Sequence, residues 1–274
     1  LRGVDRCLYK DKKDTPDTIR DVIEHIKAFE KTNQYIWLEL TELHQVAGGF
    51  ERSIDVQSKL SLKDRVIDNG GGNTVQQKYT KNRHIIFKEE AKRLDFYLRN
   101  IYQYIEEHYK DEEIVISLFS DHGTAFMVPD NQPFLSPRRT HVPMMYRGSG
   151  KQGVCNEIIE SSDYTSIMRK LCGIELNNGE DIDGRLPIYF GGEKEREYAF
   201  AQSDFPGDPY RSVLHGDGWH YYLTSKHTVN YDCRVDYEDC EDILLDDDGK
   251  LICDQELLSR CRENMKKEME YILM

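Results

Sequence analysis

The stretch Ile114-Val115-Ile116-Ser117-Leu118-Phe119-Ser120-Asp121-His122-Gly123 is the most informative segment of the sequence for the fold. Its first six residues are nearly all apolar, which is typical of a central β-strand covered on both faces. The run ends in a carboxylate, an imidazole and a glycine that lets the backbone turn sharply. Ligands of open α/β sheets gather beyond the carboxyl ends of the strands. The segment therefore predicts a strand with functional groups at its end.

Elements on both sides of this strand fit an α/β body. Apolar residues recur at spacings of three and four between residues 85 and 109, which predicts an amphipathic helix, and a similar face starts at Ile19. Residues 35–40 are β-prone and predict a short strand. A further strand is expected at residues 142–146 and a helix at residues 163–172.

The pattern changes beyond Gly191-Gly192. Short β-prone runs are separated by turn residues, Gly216-Asp217-Gly218 is typical of a hairpin loop, and a last amphipathic helix is expected near residues 255–273. We therefore predict an α/β fold with two domains. A mixed sheet flanked by helices occupies residues 1–190, and a small antiparallel sheet with one helix occupies residues 191–274.

Composition limits the partners of the chain. Its 274 residues include 37 Lys and Arg against 50 Asp and Glu, which gives a net charge of −13. A field of that sign repels phosphate backbones, so nucleic-acid binding is not expected. Aromatic residues make up 11% of the chain, which argues against disorder. No apolar run approaches the roughly 20 residues of a membrane helix, so we expect no membrane span.

The seven cysteines form no C-x-x-C pair, which favours reduced thiols over a zinc site or a disulfide framework. Reduced thiols and the lack of a visible signal peptide favour a cytoplasmic location. The chain opens with Leu-Arg-Gly, as the middle of a longer protein would, and this leaves the compartment open.

Asp121 and His122 are the candidate metal ligands. Carboxylate oxygen suits Ca²⁺, Mg²⁺ or Mn²⁺, and imidazole nitrogen extends the choice to Mn²⁺ or Zn²⁺. The alternative is a strand-end turn in which Asp121 caps the next helix. His215, Asp217 and His220 are close enough in sequence for a second metal, but the polarity of a hairpin tip explains them better.

The strand segment resembles the late metal-binding strand of the sulfatase family, within the alkaline-phosphatase-like superfamily. Further segments are similar to family segments in the correct order: Tyr35–His44, Arg93-Leu94-Asp95, Thr140–Met145, Ser162–Thr165, Leu171–Ile174, Asp183-Gly184-Arg185 and Tyr237–Leu245. The resemblance extends from residue 35 to about residue 270 and implies an alkaline-phosphatase-like sheet.

The resemblance also implies site residues and a cofactor. Asp121 and His122 would bind one divalent metal, with Ca²⁺ as the first choice and Mn²⁺ or Mg²⁺ as alternatives. His44 would contact the sulfate or phosphate and assist the leaving group. Where the family adds a lysine and a histidine after this strand, the chain offers three other residues: Arg138 and Arg139 for substrate binding and His141 for catalysis.

Departures from the family pattern concern the N-terminal motifs. No cysteine lies in a C/S-x-P/A-x-R nucleophile motif, and the family's first pair of metal-binding aspartates is absent. We therefore expect the C-terminal part of a sulfatase-like hydrolase, inactive alone, with formylglycine in the missing N-terminal part. Its substrate would be a small-molecule or carbohydrate sulfate ester, or a phosphate ester. The alternatives are a phosphodiesterase, phosphonate hydrolase or phospho-group transferase of the same superfamily, and a binding module without chemistry.

Overall fold

The computed structural model describes residues 15–40, 42–43, 81–110, 113–124, 128–129, 131–175, 184–231 and 234–270. The chain divides into two compact units, Leu1–Lys110 and Asp111–Met274, and each is described by itself. The predicted domain boundary at residue 190 is a different division of the chain and stays a prediction. Among the helices of the described ranges, none combines the length and the apolar character that a bilayer span requires.

The first unit contains the two predicted helices, α1 (Thr15–Ala28) and α2 (Lys81–His108). The apolar face of α1 is buried at Ile19 and Ile26, one helical repeat of seven residues apart. Leu94 of α2 is buried in the same way, at 6% exposure. Both helix predictions are confirmed.

The strand predicted for residues 35–40 is wrong. Residues 33–40 have no regular secondary structure, and Tyr35 and Trp37 are 69% and 58% exposed. A β-prone run becomes a strand only where a neighbouring strand can pair with it, and no described strand pairs with this one. Just beyond it, the carboxylate of Glu42 is buried and accepts a hydrogen bond from the hydroxyl of Thr15.

The second unit begins with a two-stranded antiparallel ladder. Strand β1 (Ile116–Phe119) pairs with β2 (Met144–Arg147), with Phe119 opposite Met144. The helical turn α3 (Pro137–Thr140) lies between them in sequence, and α4 (Asp163–Leu171) follows. The central position predicted for β1 is not found in the described part of the chain, where β1 pairs only with β2 and is half-buried. An apolar composition indicates that a strand is buried, but it does not indicate how many strands pair with it.

The rest of the second unit is a four-stranded antiparallel sheet in the order β3-β4-β5-β6. Its strands are β3 (Tyr198–Ser203), β4 (Pro209–Gly216), β5 (Trp219–Thr228) and β6 (Cys240–Leu245). The predicted hairpin turn joins β4 to β5, and Gly218 has the positive φ of 74° that such turns require. The small C-terminal antiparallel sheet and the α/β class are therefore confirmed.

Helix α5 (Gln255–Glu268) covers one face of this sheet. The side chain of Asp254 caps the helix by accepting hydrogen bonds from the backbone N–H groups of Glu256 and Leu257, both at 3.0 Å. Alternate residues of a strand point to opposite faces. One buried cluster therefore contains Leu214, Tyr221, Leu223 and Leu244 with Cys261, Met265 and Met269 of the helix side. The other contains Val213, Tyr222 and Leu245.

The second sheet face packs against the segment that leads into α3. Leu135 is 4% exposed and belongs to the cluster of Val213, Tyr222 and Leu245, with Phe134 and Ala201 packed beside it. The sheet is thus buried on both faces. Its second face supports the same segment that carries the predicted residues Arg138, Arg139 and His141.

Candidate functional site

Asp121 and His122 form an exposed turn directly after β1. One carboxylate oxygen of Asp121 accepts a hydrogen bond from the backbone N–H of His122 at 2.8 Å. The other, Oδ2, lies 3.3 Å from Nε2 of His122. The side chains are 80% and 48% exposed, so both are open to solvent. The two groups converge on one point outside the strand end.

The ring of His122 is oriented by a contact with the backbone of Gly123. Its Nδ1 lies 2.8 Å from the carbonyl oxygen of Gly123. With the hydrogen on Nδ1, the lone pair remains on Nε2, the atom beside the Asp121 carboxylate. An oxygen atom and a nitrogen atom of adjacent side chains thus lie close together at the exit of β1. The described residues contain no group of three or more His, Cys, Asp or Glu side chains placed to hold a metal.

Gly123 joins this turn to α3. Its backbone N–H donates a hydrogen bond to the carbonyl of Arg139 at 2.6 Å. A Cβ atom at position 123 would lie 2.8 Å from that carbonyl oxygen and 2.9 Å from the carbonyl oxygen of Arg138. The backbone approach is so close that only glycine fits without a shift. The D-H-G turn and the two arginines, which are distant in sequence, are thereby brought together.

The other predicted site residues differ in their placement. Arg138 and His141 are exposed, and the N–H of His141 closes the helical turn by donating to Pro137 at 2.9 Å. Arg139 is half-buried, with its guanidinium carbon 4.1 Å from the ring centroid of Phe134. His44 lies outside the described residues.

Arg211 of β4 was not predicted from the sequence. Its guanidinium carbon lies 4.5 Å from the same Phe134 centroid. Burial lowers the pKa of Arg139, and the positive charge of Arg211 lowers it further. Burial also lowers the pKa of Arg211, against the favourable field of Asp208. A strand arginine remote in sequence carries no local signal of this packing.

A second link joins α3 to the sheet. The hydroxyl of Thr140 lies 2.7 Å from Nε2 of His215, whose Nδ1 lies 2.9 Å from Nδ1 of His220. His220 continues the link through Nε2, 3.1 Å from a carboxylate oxygen of Asp247. His215 and His220 are directly opposite on β4 and β5. Asp217 lies exposed at the hairpin tip, as expected, whereas His215 is part of a packed link and not of a solvated tip.

The environment keeps both histidines neutral near neutral pH. Burial lowers the pKa of His215 to about 3, and repulsion from His220 and His141 acts in the same direction, opposed by a hydrogen bond to the Leu135 backbone. Burial also lowers the pKa of His220, while Asp247 opposes the shift. A contact between two Nδ1 atoms holds only one hydrogen, so full protonation of the pair would break it.

No protein-family model matches the sequence, and no curated protein sequence matches it significantly. Solved structures do match. A Bacteroides thetaiotaomicron sulfatase, from a locus for the metabolism of multiple glycosaminoglycans, superposes with a TM-score of 0.64 at 13% identity over 93% of this chain. A second structure, solved with its substrate D-glucosamine-2-N,6-O-disulfate, gives a TM-score of 0.48 at 10% identity over 70% of this chain and 40% of its own.

The fold is sulfatase-like. The chain spans 58% of the length of the first of these structures. An identity of 13% supports a shared fold and does not extend to activity.

The segment at the start of α4 contacts Gly184 and Arg185 in the structure. Asp163, at the start of α4, is 1% exposed and accepts a hydrogen bond from the backbone N–H of Arg185 at 2.6 Å. It also pairs with Arg196 at 2.6 Å, and Arg196 bridges to Glu160 at 3.0 Å. A Cβ atom on Gly184 would overlap the backbone of Ser162. The Ser162-Asp163 segment thus holds Gly184-Arg185 against α4.

Burial affects three of the five cysteines in the described part of the chain. Cys155, Cys172, Cys240, Cys253 and Cys261 are free thiols. Burial raises the pKa of Cys240 and of Cys261 to about 11 and that of Cys155 as well. The thiolate is the reactive form, so these three are poor nucleophiles near neutral pH.

Proposed function

We propose that the chain is part of a metal-dependent hydrolase of sulfate esters, with Asp121 and His122 as two of the ligands of its cation. The observation that carries the proposal is the convergence of Asp121 Oδ2 and His122 Nε2, 3.3 Å apart, at the exit of β1 in a sulfatase-like fold. The neighbouring Bacteroides structure comes from a glycosaminoglycan locus. We therefore favour carbohydrate sulfates as the substrate class.

We propose Ca²⁺ as the cation, with Mn²⁺ or Mg²⁺ as alternatives. A carboxylate oxygen is the donor that Ca²⁺ prefers, and one imidazole nitrogen is compatible with Mn²⁺. Such a cation neutralises the non-bridging oxygens of a sulfate ester as charge develops on them. Gly123 would orient His122 by accepting the Nδ1 hydrogen, and the α3 backbone would hold the turn in position.

The remaining residues are proposed for substrate contact and proton transfer. Arg138 and Arg139 would bind oxyanionic substrate groups, since guanidinium groups match them with paired N–H donors. His141, exposed after α3, and His44 would assist the leaving oxygen as acid–base groups. The nucleophile, a formylglycine in our proposal, would come from outside the present sequence.

A metal-binding and activity assay on the full-length protein tests the proposal. Asp121→Ala and His122→Ala should each weaken Ca²⁺ affinity by about 10-fold to 100-fold, since each removes a ligand atom without leaving another oxygen donor in its place. Release of sulfate from a sulfated monosaccharide should fall in parallel. Calorimetry measures the affinity, and ion chromatography measures the free sulfate.

Two surface variants serve as matched controls. Asp217→Ala and His227→Ala make the same chemical changes at exposed positions of the C-terminal sheet, so metal affinity should stay at the wild-type value. Faster release of phosphate than of sulfate from matched esters would favour the phosphoesterase alternative. Metal binding without release of either would favour a binding module. Wild-type Ca²⁺ affinity in both site variants would contradict the metal site.

A further inference from the structure

The side chains of Arg139, Phe134 and Arg211, which we call the arginine clamp, form a positively charged cluster on the second face of the sheet. The guanidinium carbons lie 4.1 and 4.5 Å from the centre of the Phe134 ring, so one ring holds both cations close together. Arg211 shares its sheet face with Val213, whose cluster also contains Leu135. The clamp is thus built by the packing that positions α3.

Neither cation of the clamp forms an ion pair within the described residues, although the field of Asp208 acts on Arg211. Neither guanidinium has a carboxylate within ion-pairing distance there, although the whole chain carries 50 acidic residues against 37 basic ones. Within the described part of the chain, the one hydrogen bond of the Arg211 guanidinium is a long contact of 3.4 Å to the carbonyl of Pro209. Nη1 of Arg139 is buried, and no described residue accepts a hydrogen bond from it. Two half-buried cations without an ion pair repel each other, and a bound anion would relieve the repulsion.

The geometry of guanidinium groups selects the class of anion. Each presents a planar fork of N–H donors that matches the paired oxygens of carboxylate, sulfate or phosphate. The aromatic ring occupies one side of the cations without competing for these donors. The clamp is also tied to the candidate metal turn, because the carbonyl of Arg139 accepts the hydrogen bond of Gly123 at 2.6 Å. A molecule with several acidic groups could contact both.

We propose that the arginine clamp is a second anion-binding site that takes a carboxylate or a further sulfate of an acidic saccharide, beside the ester that is cleaved. The inference deepens the proposed function and rests on it for the identity of the saccharide. It adds Arg211 to the binding residues and makes Arg139 specific for the second acidic group.

Calorimetric titration of the full-length protein tests the clamp with two probes, inorganic sulfate and a trisulfated heparin disaccharide. Arg211→Met keeps the apolar length of the side chain and removes its charge. We expect the affinity for the disaccharide to fall by about 10-fold to 100-fold, the loss typical of a charge-assisted hydrogen bond. Arg211→Lys keeps the charge without the planar fork and should give an intermediate loss. Arg260→Met, which removes an exposed surface arginine paired with Glu197, should bind as the wild type does.

Arg139→Met should resemble Arg211→Met. Circular dichroism identifies a variant that fails to fold, in which case Arg211 alone decides. Equal affinities of the wild type and the Arg211 variants, or no binding of either probe by the wild type, would overturn the clamp. Sulfate release from the disaccharide reports separately on the proposed function. Binding that depends on Arg211 without sulfate release keeps the clamp and contradicts the hydrolase. Sulfate release with a disaccharide affinity that does not depend on Arg211 would support the hydrolase and contradict the clamp.

Discussion

Among single residues, Gly123 shows most clearly why the candidate site needs a glycine. It is not needed here for a left-handed φ but for the close approach of two backbones, with the carbonyl oxygens of Arg138 and Arg139 within 2.9 Å of a would-be Cβ atom. The sequence predicted a sharp turn at this position. It did not predict what the turn packs against.

Gly123→Ala should therefore disturb the candidate metal turn. The methyl group would have to displace α3, at about 1–3 kcal/mol of unfolding free energy, and the displacement should weaken Ca²⁺ binding. Urea denaturation and calorimetry measure the two effects. Gly249→Ala is the control: its φ is 79° and the space around it is open, so it should lose about 1 kcal/mol of stability and keep its metal affinity. Unchanged stability and metal affinity in Gly123→Ala would show that the backbone at position 123 does not lie so close to α3.

The sequence shows which site groups can lie close together only where these groups are neighbours along the chain. Asp121 and His122 are adjacent in sequence, and their side chains also meet in space. Arg139 and Arg211 meet only because β4 packs against the segment before α3. A pair 72 positions apart has no spacing rule that a single sequence could reveal.

At the element scale, the β4–β5 hairpin contains the packed histidine pair. His215 and His220 are cross-strand partners 2.9 Å apart, and Thr140, Asp246, Asp247 and His141 are the polar or charged groups around them. Such pairs are the unit of sheet stabilisation. Here the pair also attaches α3 to the sheet.

The pair predicts a pH-dependent loss of stability. The pKa of His215 in the fold is about 3, below the 6.5 of a free histidine, so the unfolded chain takes up the proton first. The contribution of His215 is complete above pH 6.5 and is lost as the pH falls towards 3. Through His215, the unfolding free energy should change by at most about 1.4 kcal/mol per pH unit. Denaturant unfolding at pH 7, 6 and 5 measures it, as a difference from His215→Gln.

The variant isolates the titration because glutamine does not protonate and the carboxylates are common to both proteins. The wild type should lose more stability on acidification than the variant does. Parallel pH profiles would contradict a buried neutral His215.

Helix α4 depends on a buried charge at its first residue. Asp163 is 1% exposed and bonded to Arg185 and Arg196. Asp163→Asn should reduce the unfolding free energy by about 3 kcal/mol, because Arg196 would lose a buried partner. Glu197→Gln removes an exposed carboxylate nearby and should have almost no effect. Equal unfolding free energies for these two variants would contradict a stabilising role of the Asp163 pair.

Helices were easier to predict than strands for a physical reason. The period of α1, α2, α4 and α5 is local and appears in sequence windows that match the observed bounds closely. The run at residues 35–40 has the composition of a strand but no described pairing partner. Pairing is a long-range property, which composition alone does not report.

At the scale of the whole molecule, burial differs strongly between the two sheets. Strands β4 and β5 have neighbours on both sides and cover on both faces, with Val213, Leu214 and Tyr221 at 0% exposure. Strands β1 and β2, which precede and follow the candidate site, are mostly half-buried. The site is therefore next to the less buried of the two sheets.

Hydrogen exchange should reveal this difference. We expect backbone amides of β4 and β5 to exchange at least about 10-fold more slowly than those of β1 and β2, because opening the buried sheet exposes more apolar surface. Mass spectrometry of the full-length protein after deuteration measures the rates. Addition of Ca²⁺ should slow exchange in β1, whose exit carries Asp121, and leave β5 unchanged. Uniform protection of both sheets would contradict the expected gradient.

The strand order β3-β4-β5-β6 means that every strand pairs with the next one along the chain. Each pairing closes a loop between sequence neighbours, so the entropy lost on closure is small and the contact order is low. Between β1 and β2 the connection is longer and contains α3. We infer that this meander folds first, hairpin by hairpin, and that its second face then acts as the template on which Phe134, Leu135 and α3 dock.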